Sequence, residues 1–247
     1  MDQVAVSAAS GLRARMEALD MLSNNLANAT TGGYKLDREF YSLFSSDEDL
    51  GINDEGTPAK LPVIQSQWTD FSQGILTPTG GPLDVALAGF GFFKVKGPSG
   101  PLYTRNGSFQ ISSAGVLTTQ EGYPVLGVDG QPIMTQSESP IQISPDGTIT
   151  QDDMPLGQLA VMDFKDRSVL GKQSGSYFTN LNPKVEPQAA TEVTVEQGKI
   201  ENSNVATAES AVRLVGLMRQ FEMLQKAITV TSDMNKQALQ EVAKVGP

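Results

Sequence analysis

Proline and glycine divide this 247-residue chain into parts that must fold differently. Apart from Gly11, Gly216 and the terminal Gly246-Pro247, all of its 24 Gly and 14 Pro lie between Gly32 and Gly198. Proline removes a helical hydrogen bond and glycine costs backbone entropy, so long helices are disfavoured in the middle and allowed at both ends. Within the middle, the stretches FFKVKG (92–97), PLYTRNGSFQI (101–111), GVLTT (115–119), YPVLGV (123–128), PIQISP (140–145), GTIT (147–150), QLAVMDF (158–164) and TEVTVEQG (191–198) are bounded by NG, AG, EG, DG and PDG turns. Turn formers spaced every 8–12 residues between short β-prone runs predict an antiparallel, all-β module.

The ends carry helical periodicity instead. Ala5, Leu12, Leu19 and Leu26 recur every seven residues, with Ala9 and Met16 on the neighbouring row, until Thr30, Thr31, Gly32 and Gly33 end the pattern. The helix is expected to stop near Asn28. At the other end Leu214, Leu217, Phe221, Leu224, Ile228, Thr231, Asn235, Ala238, Val242 and Val245 occupy a and d positions of unbroken heptads. Such a repeat predicts a helix whose narrow apolar seam meets another helix, with Thr231 and Asn235 helping to set register. At about 1.5 Å per residue, 40 residues make a rod on the order of 60 Å long, more than a compact domain of this size needs for itself. The expected fold is therefore α+β, with long N- and C-terminal helices paired as a coiled coil around a central all-β domain. Seams this long leave apolar surface to spare, which a polymer interface would cover.

Composition narrows the chemistry. The chain has no Cys and no His, which removes disulfides, thiolate or imidazole zinc sites and every Ser/His or Cys/His relay. A net charge of −10, with 18 scattered basic residues, argues against nucleic acid. No run reaches the length of a membrane-spanning helix. The first residues, MDQVAVSAASGLRARMEALD, read as structure and not as a Sec leader, which fits a cytoplasmic protein or one exported without a cleaved signal peptide. GFGFF at 89–93 lacks the third glycine of a dinucleotide loop and precedes a strand pattern, so it reads as a tight turn with Phe90, Phe92 and Phe93 packing the β core. Asp47, Glu48, Asp49, Asp54 and Glu55 do not follow an EF-hand spacing and read as a solvated loop. Paired carboxylates of a glycan hydrolase find no aromatic-rich sugar platform, with one Trp in the chain. No catalytic, cofactor or metal site is assigned.

Three stretches are familiar. SNNLANATTGGYK (23–35) resembles the N-terminal signature of the flagellar rod and hook family of bacterial axial proteins. DFSQGILTPTGGPLDVALAGFGFFKV (70–95) and YTRNGSFQISSAGVLTTQEGYPVL (103–126) look like its β-domain core, and residues 195–230, with QG, E-x-SNV and R-x-FE elements, resemble its C-terminal signature. The resemblance implies a structural subunit and no enzyme: a chain exported unfolded through the flagellar type III apparatus that stacks helically with copies of itself and neighbouring rod proteins, its terminal helices forming the inner layer of a periplasmic tube. Length, and RQFEM at 219–223, lean toward the proximal-rod member over the distal one. The expected divisions are 1–35 (N-terminal helix and signature), 36–64 (exposed acidic linker), 65–198 (β domain) and 199–247 (C-terminal helix).

The assembly interface is expected at Leu12, Leu19, Leu26, Leu214, Leu217, Phe221, Leu224 and Ile228. Carried over by position, the family motif puts Asn24, Asn25, Leu26 and Asn28 at the end of the first helix and Asn202, Ser203, Asn204 and Val205 before the last. Asn side chains there are expected to satisfy backbone groups at the helix boundaries. Asp84, Gly89 and Gly91 match the β-core motif and are expected to be structural. Two other classes stay open at this point: a coiled-coil-dimerised stalk presenting the β domain as a binding module, and the carboxylate-based glycan hydrolase.

Overall fold

The computed structural model describes residues 3–45, 60–137 and 139–245, and the acidic cluster 47–55 lies outside them. Helix α1 runs Gln3–Ala27 and helix α2 Thr207–Val245, with a mostly β chain between them. The chain divides into two compact units. The first comprises Met1–Leu26, Asp37–Trp68 and Ala206–Pro247, and the second Ala27–Leu36 and Thr69–Val205.

The second unit is built of antiparallel strands. A six-stranded sheet has the order Leu170–Ser174, Tyr177–Asn180, Gly100–Thr104, Phe92–Gly97, Val161–Asp163, Gln188–Ala189. A three-stranded sheet joins Ile141–Ile143, Thr148–Gln151 and Met154–Gln158. Two further pairs return the end of the β region to its beginning. Val193–Gln197 pairs with Val85–Gly89, and Lys199–Glu201 with Leu76–Pro78. Apolar residues of these strands meet in one cluster that includes Val85, Leu87, Phe93, Val95, Leu117, Val125 and Ile149, all essentially solvent-free. A second cluster holds Phe92, Tyr103, Phe164, Leu170 and Phe178. Phe71 packs against its edge, with ring centroids 5.5 Å from Phe92 and 5.1 Å from Phe178. Phe90 departs from expectation: it is 52% exposed, with the Arg167 guanidinium 4.2 Å from its ring centroid. The turn holding it lies between Gly89 and Gly91, both at positive φ, so the strand alternation that buries Phe92 and Phe93 does not extend to it.

In the first unit, residues read as an acidic linker carry structure on both sides. Asp37–Ser45 and Lys60–Thr69 form a two-stranded sheet. The acidic, Gly/Pro-punctuated composition is confined to 46–59, whereas EFYSLF (39–44) and LPVI (61–64) are aromatic and aliphatic runs suited to strands.

The long paired coiled coil is the part of the expected fold that fails. Among the described side chains, α1 and α2 share one buried apolar patch, Ala18, Leu22 and Leu217, with Leu19 and Leu214 packed against it. Leu12, Leu26, Phe221, Leu224 and Ile228 are only half-buried, and Met16 is exposed. A coiled coil needs large apolar knobs at a and d on both partners over several heptads. The α1 rows supply Ala9 and Ser23 instead, and the 39 residues of α2 outrun the 25 of α1. What remains is an α+β chain of two terminal helices and a β middle. No described helix is long and apolar enough to cross a membrane.

Candidate functional site: a buried charge hub and the faces of the C-terminal helix

A carboxylate sits at the centre of the second unit where three sequence-distant segments meet. Glu201, at the end of its short strand, accepts from Lys35 Nζ through Oε1 (2.5 Å) and from Arg105 Nε through Oε2 (2.8 Å). Side-chain exposure is 1% for Lys35, 1% for Glu201 and 4% for Arg105. Buried charges persist when paired and fully hydrogen-bonded, and here the remaining valences are filled by backbone. Gly74 N donates to Glu201 Oε1 (2.9 Å), and Lys35 Nζ also donates to Ser72 O (2.6 Å). Arg105 Nη1 donates to the carbonyls of Gly89 (2.9 Å) and Gly91 (2.7 Å), and Nη2 to that of Leu87 (3.3 Å). Burial lowers the proton affinity of Lys35 and Arg105 below their ordinary values, and Glu201 beside each pulls in the other direction.

Backbone packs as closely as the charges. Gly33 N donates to Glu201 O (2.7 Å). Gly33 has φ +67°, and a Cβ on it would lie 2.2 Å from Asn106 N, so only glycine lets residues 32–35 lie against 105–106. The Lys172 ammonium stands 4.0 Å from the Tyr34 ring centroid and donates to Lys35 O (2.7 Å). Closure is finished by Asn204, whose Oδ1 accepts from Leu36 N (2.8 Å) while Nδ2 donates to Asp70 O (2.8 Å) and Ser72 O (3.2 Å).

The motif asparagines thus reach far along the chain. Asn25 Nδ2 donates to Asp37 O (2.8 Å) and its Oδ1 accepts from Asp37 N (3.0 Å), an amide-to-backbone pair across twelve residues. Asn28 Oδ1 accepts from Thr31 Oγ1 (3.2 Å) in the turn after α1. Asn202 Nδ2 donates to Thr77 Oγ1 (2.9 Å), Ser203 Oγ accepts from Val205 N (3.2 Å), and Asn24 is exposed. Asp84 accepts from Thr79 Oγ1 (2.6 Å) and Ser108 Oγ (3.2 Å), tying together the turn before its strand. Gly89 leaves no room for a side chain, since a Cβ would lie 2.3 Å from Glu192 O.

In the first unit, α2 has one apolar face and, opposite it, exposed apolar side chains set among charged ones. Leu214, Leu217, Phe221, Leu224 and Ile228 share the apolar face, where Leu217 is buried and the others half-buried. Val212 (76% exposed), Val215, Met223 (64%), Val230 and Met234 (64%) lie exposed in a second sector, which they share with Arg219, Lys226 and Asp233 and which is called the exposed stripe below. At 100° per residue the stripe spans about 100° of the helix, centred roughly 160° from the first face. Arg213 of α2 is ion-paired with Glu39.

Sequence reading missed Lys35, Arg105 and Glu201, although each lies in a recognised segment; a charge beside Gly and aromatic residues was the available signal for Lys35 and Arg105, and Glu201, among Lys199, Ile200 and Asn202, offered none. It also missed the exposed apolar residues opposite, because the heptad reading took Leu214, Leu217, Phe221, Leu224 and Ile228 as the seam and the others look scattered until placed on the helix.

Family models match the same three regions. "Flagella basal body rod protein" covers residues 6–35, "Flagellar hook protein FlgE/F/G D1 domain" 86–151, and "Flagellar basal body rod FlgEFG protein C-terminal" 196–241. The chain is 30% identical to the flagellar basal-body rod protein FlgF of Caulobacter vibrioides over 228 residues, covering 92% of each chain. It is 32% identical to the rod protein FlgG of Buchnera aphidicola subsp. Schizaphis graminum over 254 residues, covering 94% of this chain and 96% of that one. FlgF of Mesorhizobium japonicum is 29% identical over 244 residues, covering 96% and 95%. At this coverage, with the hub residues Lys35, Arg105 and Glu201 each inside a matched stretch, the chain belongs to the flagellar basal-body rod protein family.

Proposed function

We propose that this chain is a structural, non-catalytic subunit of the flagellar basal-body rod that polymerises helically through its terminal helices into the shaft carrying torque to the hook. The observation that carries the reading is the set of exposed apolar side chains on α2: Leu217 packs with Ala18 and Leu22, while Val212, Val215, Met223, Val230 and Met234 are left in water. A helix that exposes large apolar side chains opposite its packed face suits a position between neighbours, as in a helical layer, better than a closed dimer stalk. Leu12, Leu19, Leu26, Leu214, Leu217, Phe221, Leu224 and Ile228 serve the same assembly, with the helices in the inner layer. Its partners are copies of itself and adjoining rod proteins, reached through the flagellar type III export apparatus, and RQFEM at 219–223 supports a proximal position.

Val212→Ser with Val230→Ser tests this reading in cells lacking the wild-type chain. Both residues are exposed, so the purified variant keeps its unfolding midpoint while rod assembly and motility are lost. A motile strain with complete rods would refute the role of this stripe.

A further inference from the structure

Two segments from opposite ends of the second unit lie side by side and run in the same direction. Gly33 N donates to Glu201 O (2.7 Å), Asn204 N to Tyr34 O (3.4 Å) and Leu36 N to Asn204 Oδ1 (2.8 Å), so 33–36 ascends beside 201–204. The Lys35–Glu201 ion pair (2.5 Å), with both side chains 1% exposed, adds a charged cross-link between them. Chain from α1 enters this contact at Gly33, and chain leaves it at Asn204 toward α2. Tension between the two helices therefore pulls the first segment by its leading end and the second by its trailing end. In segments that run in the same direction these are opposite ends, so the contact is sheared. Its bonds share the tension and must break together, whereas a peeled pair breaks them one by one.

We propose that 33–36 and 201–204 form a shear clamp that carries tension between the terminal helices past the β domain. Lys35 and Glu201 are 166 residues apart, and while the clamp holds, the chain between them lies outside the tension path. Once it breaks, a span on the order of 550–600 Å when fully extended becomes available. Asn204 is the positioning residue of the clamp, because one amide holds Leu36 N on one segment and, through Nδ2, Asp70 O and Ser72 O beside it. The ion pair is withdrawn from water, which would otherwise compete for its bonds as they stretch. The clamp is a property of the single chain, and its use in a torque-carrying shaft rests on the assembly reading above.

The test pulls the full chain at constant force through thiol handles. The chain has no cysteine of its own, so Ala27→Cys with Ala206→Cys, both at exposed positions, attaches the handles beside the clamp and leaves the helix contact at Ala18, Leu22 and Leu217 outside the pulled segment. Forced unfolding reads the opening rate. No extension comparable with the 166-residue span should precede rupture of the clamp. In this background Asn204→Ala removes the amide that Leu36 N, Asp70 O and Ser72 O share, and the lifetime of the clamp should shorten at least about tenfold. Gln151→Ala removes a buried amide bonded to Gln136 N, Ser137 N, Ser137 O and Ser139 O, outside the tension path. It should lower equilibrium stability to urea comparably while leaving the lifetime within about threefold of its parent. Asn204→Ser, which retains a hydroxyl, takes the place of Asn204→Ala if the latter does not fold. Equal lifetimes with and without the Asn204 amide, an equal shortening by Gln151→Ala, or long extension before rupture overturns the clamp and leaves the assembly reading standing. That reading fails on a different result, complete rods in the strain carrying Val212→Ser with Val230→Ser.

Discussion

Replacing Glu201 by Gln keeps the shape of the hub and removes the carboxylate that Lys35 and Arg105 share. Lys35 and Arg105 then stay in a site where their side chains are 1% and 4% exposed, facing an amide whose nitrogen is itself a donor. Removing one partner of a buried ion pair costs roughly 3–5 kcal/mol, because the remaining charge is uncompensated. Three accepted hydrogen bonds at 2.5, 2.8 and 2.9 Å are disturbed together, which puts this site at the upper part of that range and makes the loss a large share of a typical 5–15 kcal/mol domain stability. At roughly 2–4 °C per kcal/mol for a chain of this size, the melting midpoint should fall by about 8–16 °C.

The penalty should also depend on pH in a definite direction. Lys35 already sits below its ordinary value near 10.5 because burial outweighs Glu201, and losing the carboxylate lowers it further. Between the folded and unfolded values the unfolded chain binds more protons, so stability rises with pH there. The deficit of Glu201→Gln should therefore shrink as pH climbs from 7 toward 10. Urea unfolding followed by far-UV circular dichroism measures both effects. The double variant Lys35→Met with Glu201→Gln should cost less than the sum of the singles by about 1–3 kcal/mol. A Glu201→Gln protein within about 1 kcal/mol of wild type at pH 7, or additive singles, would refute the hub as described.

Other expectations follow from the same geometry. Gly33→Ala meets backbone at 2.2 Å whereas Gly122→Ala, at φ +87°, meets nothing within 4 Å; thermal denaturation should show about 1–2 kcal/mol lost at Gly122, the strain of positive φ alone, and clearly more at Gly33. Leu217→Ala opens a cavity in the small cluster with Ala18 and Leu22 and should cost about 2–4 kcal/mol in helix stability by hydrogen exchange, against less than about 0.5 kcal/mol for the exposed Val212→Ser. The Tyr177 hydroxyl is pushed up by burial and by its bond to Glu121. Its contribution is then complete below the unfolded value near 10 and lost as pH rises toward the folded one, so the difference between wild type and Tyr177→Phe should be flat from pH 7 to 9 and shrink above 10.

Local pattern carried most of the secondary structure. The turn residues after Asn28 end α1 at Ala27, and the strands at 92–97, 117–119, 141–143 and 193–197 lie inside runs bounded by Gly and Pro. What local pattern does not carry is closure over distance. Lys35 and Glu201 are 166 residues apart, and neither periodicity nor turn chemistry couples them. The coiled coil fails for a related reason: a heptad row states which residues of α2 share a face, and the partner must supply matching knobs, which among the described side chains α1 does around Ala18 and Leu22 alone. The asparagines illustrate the middle ground, since their polar role at the ends of the helices was legible while their partners, Asp37 for Asn25 and Leu36 and Asp70 for Asn204, were not.

Hydrogen exchange on the isolated chain and on the same chain in assembled rods tests the polymerising role of α2 most directly. Amides of residues 212–234 should exchange much more slowly in the rod, while those around the hub at 33–36, 74 and 201–204 are protected alike in both states. Equal protection of α2 before and after assembly would contradict the account.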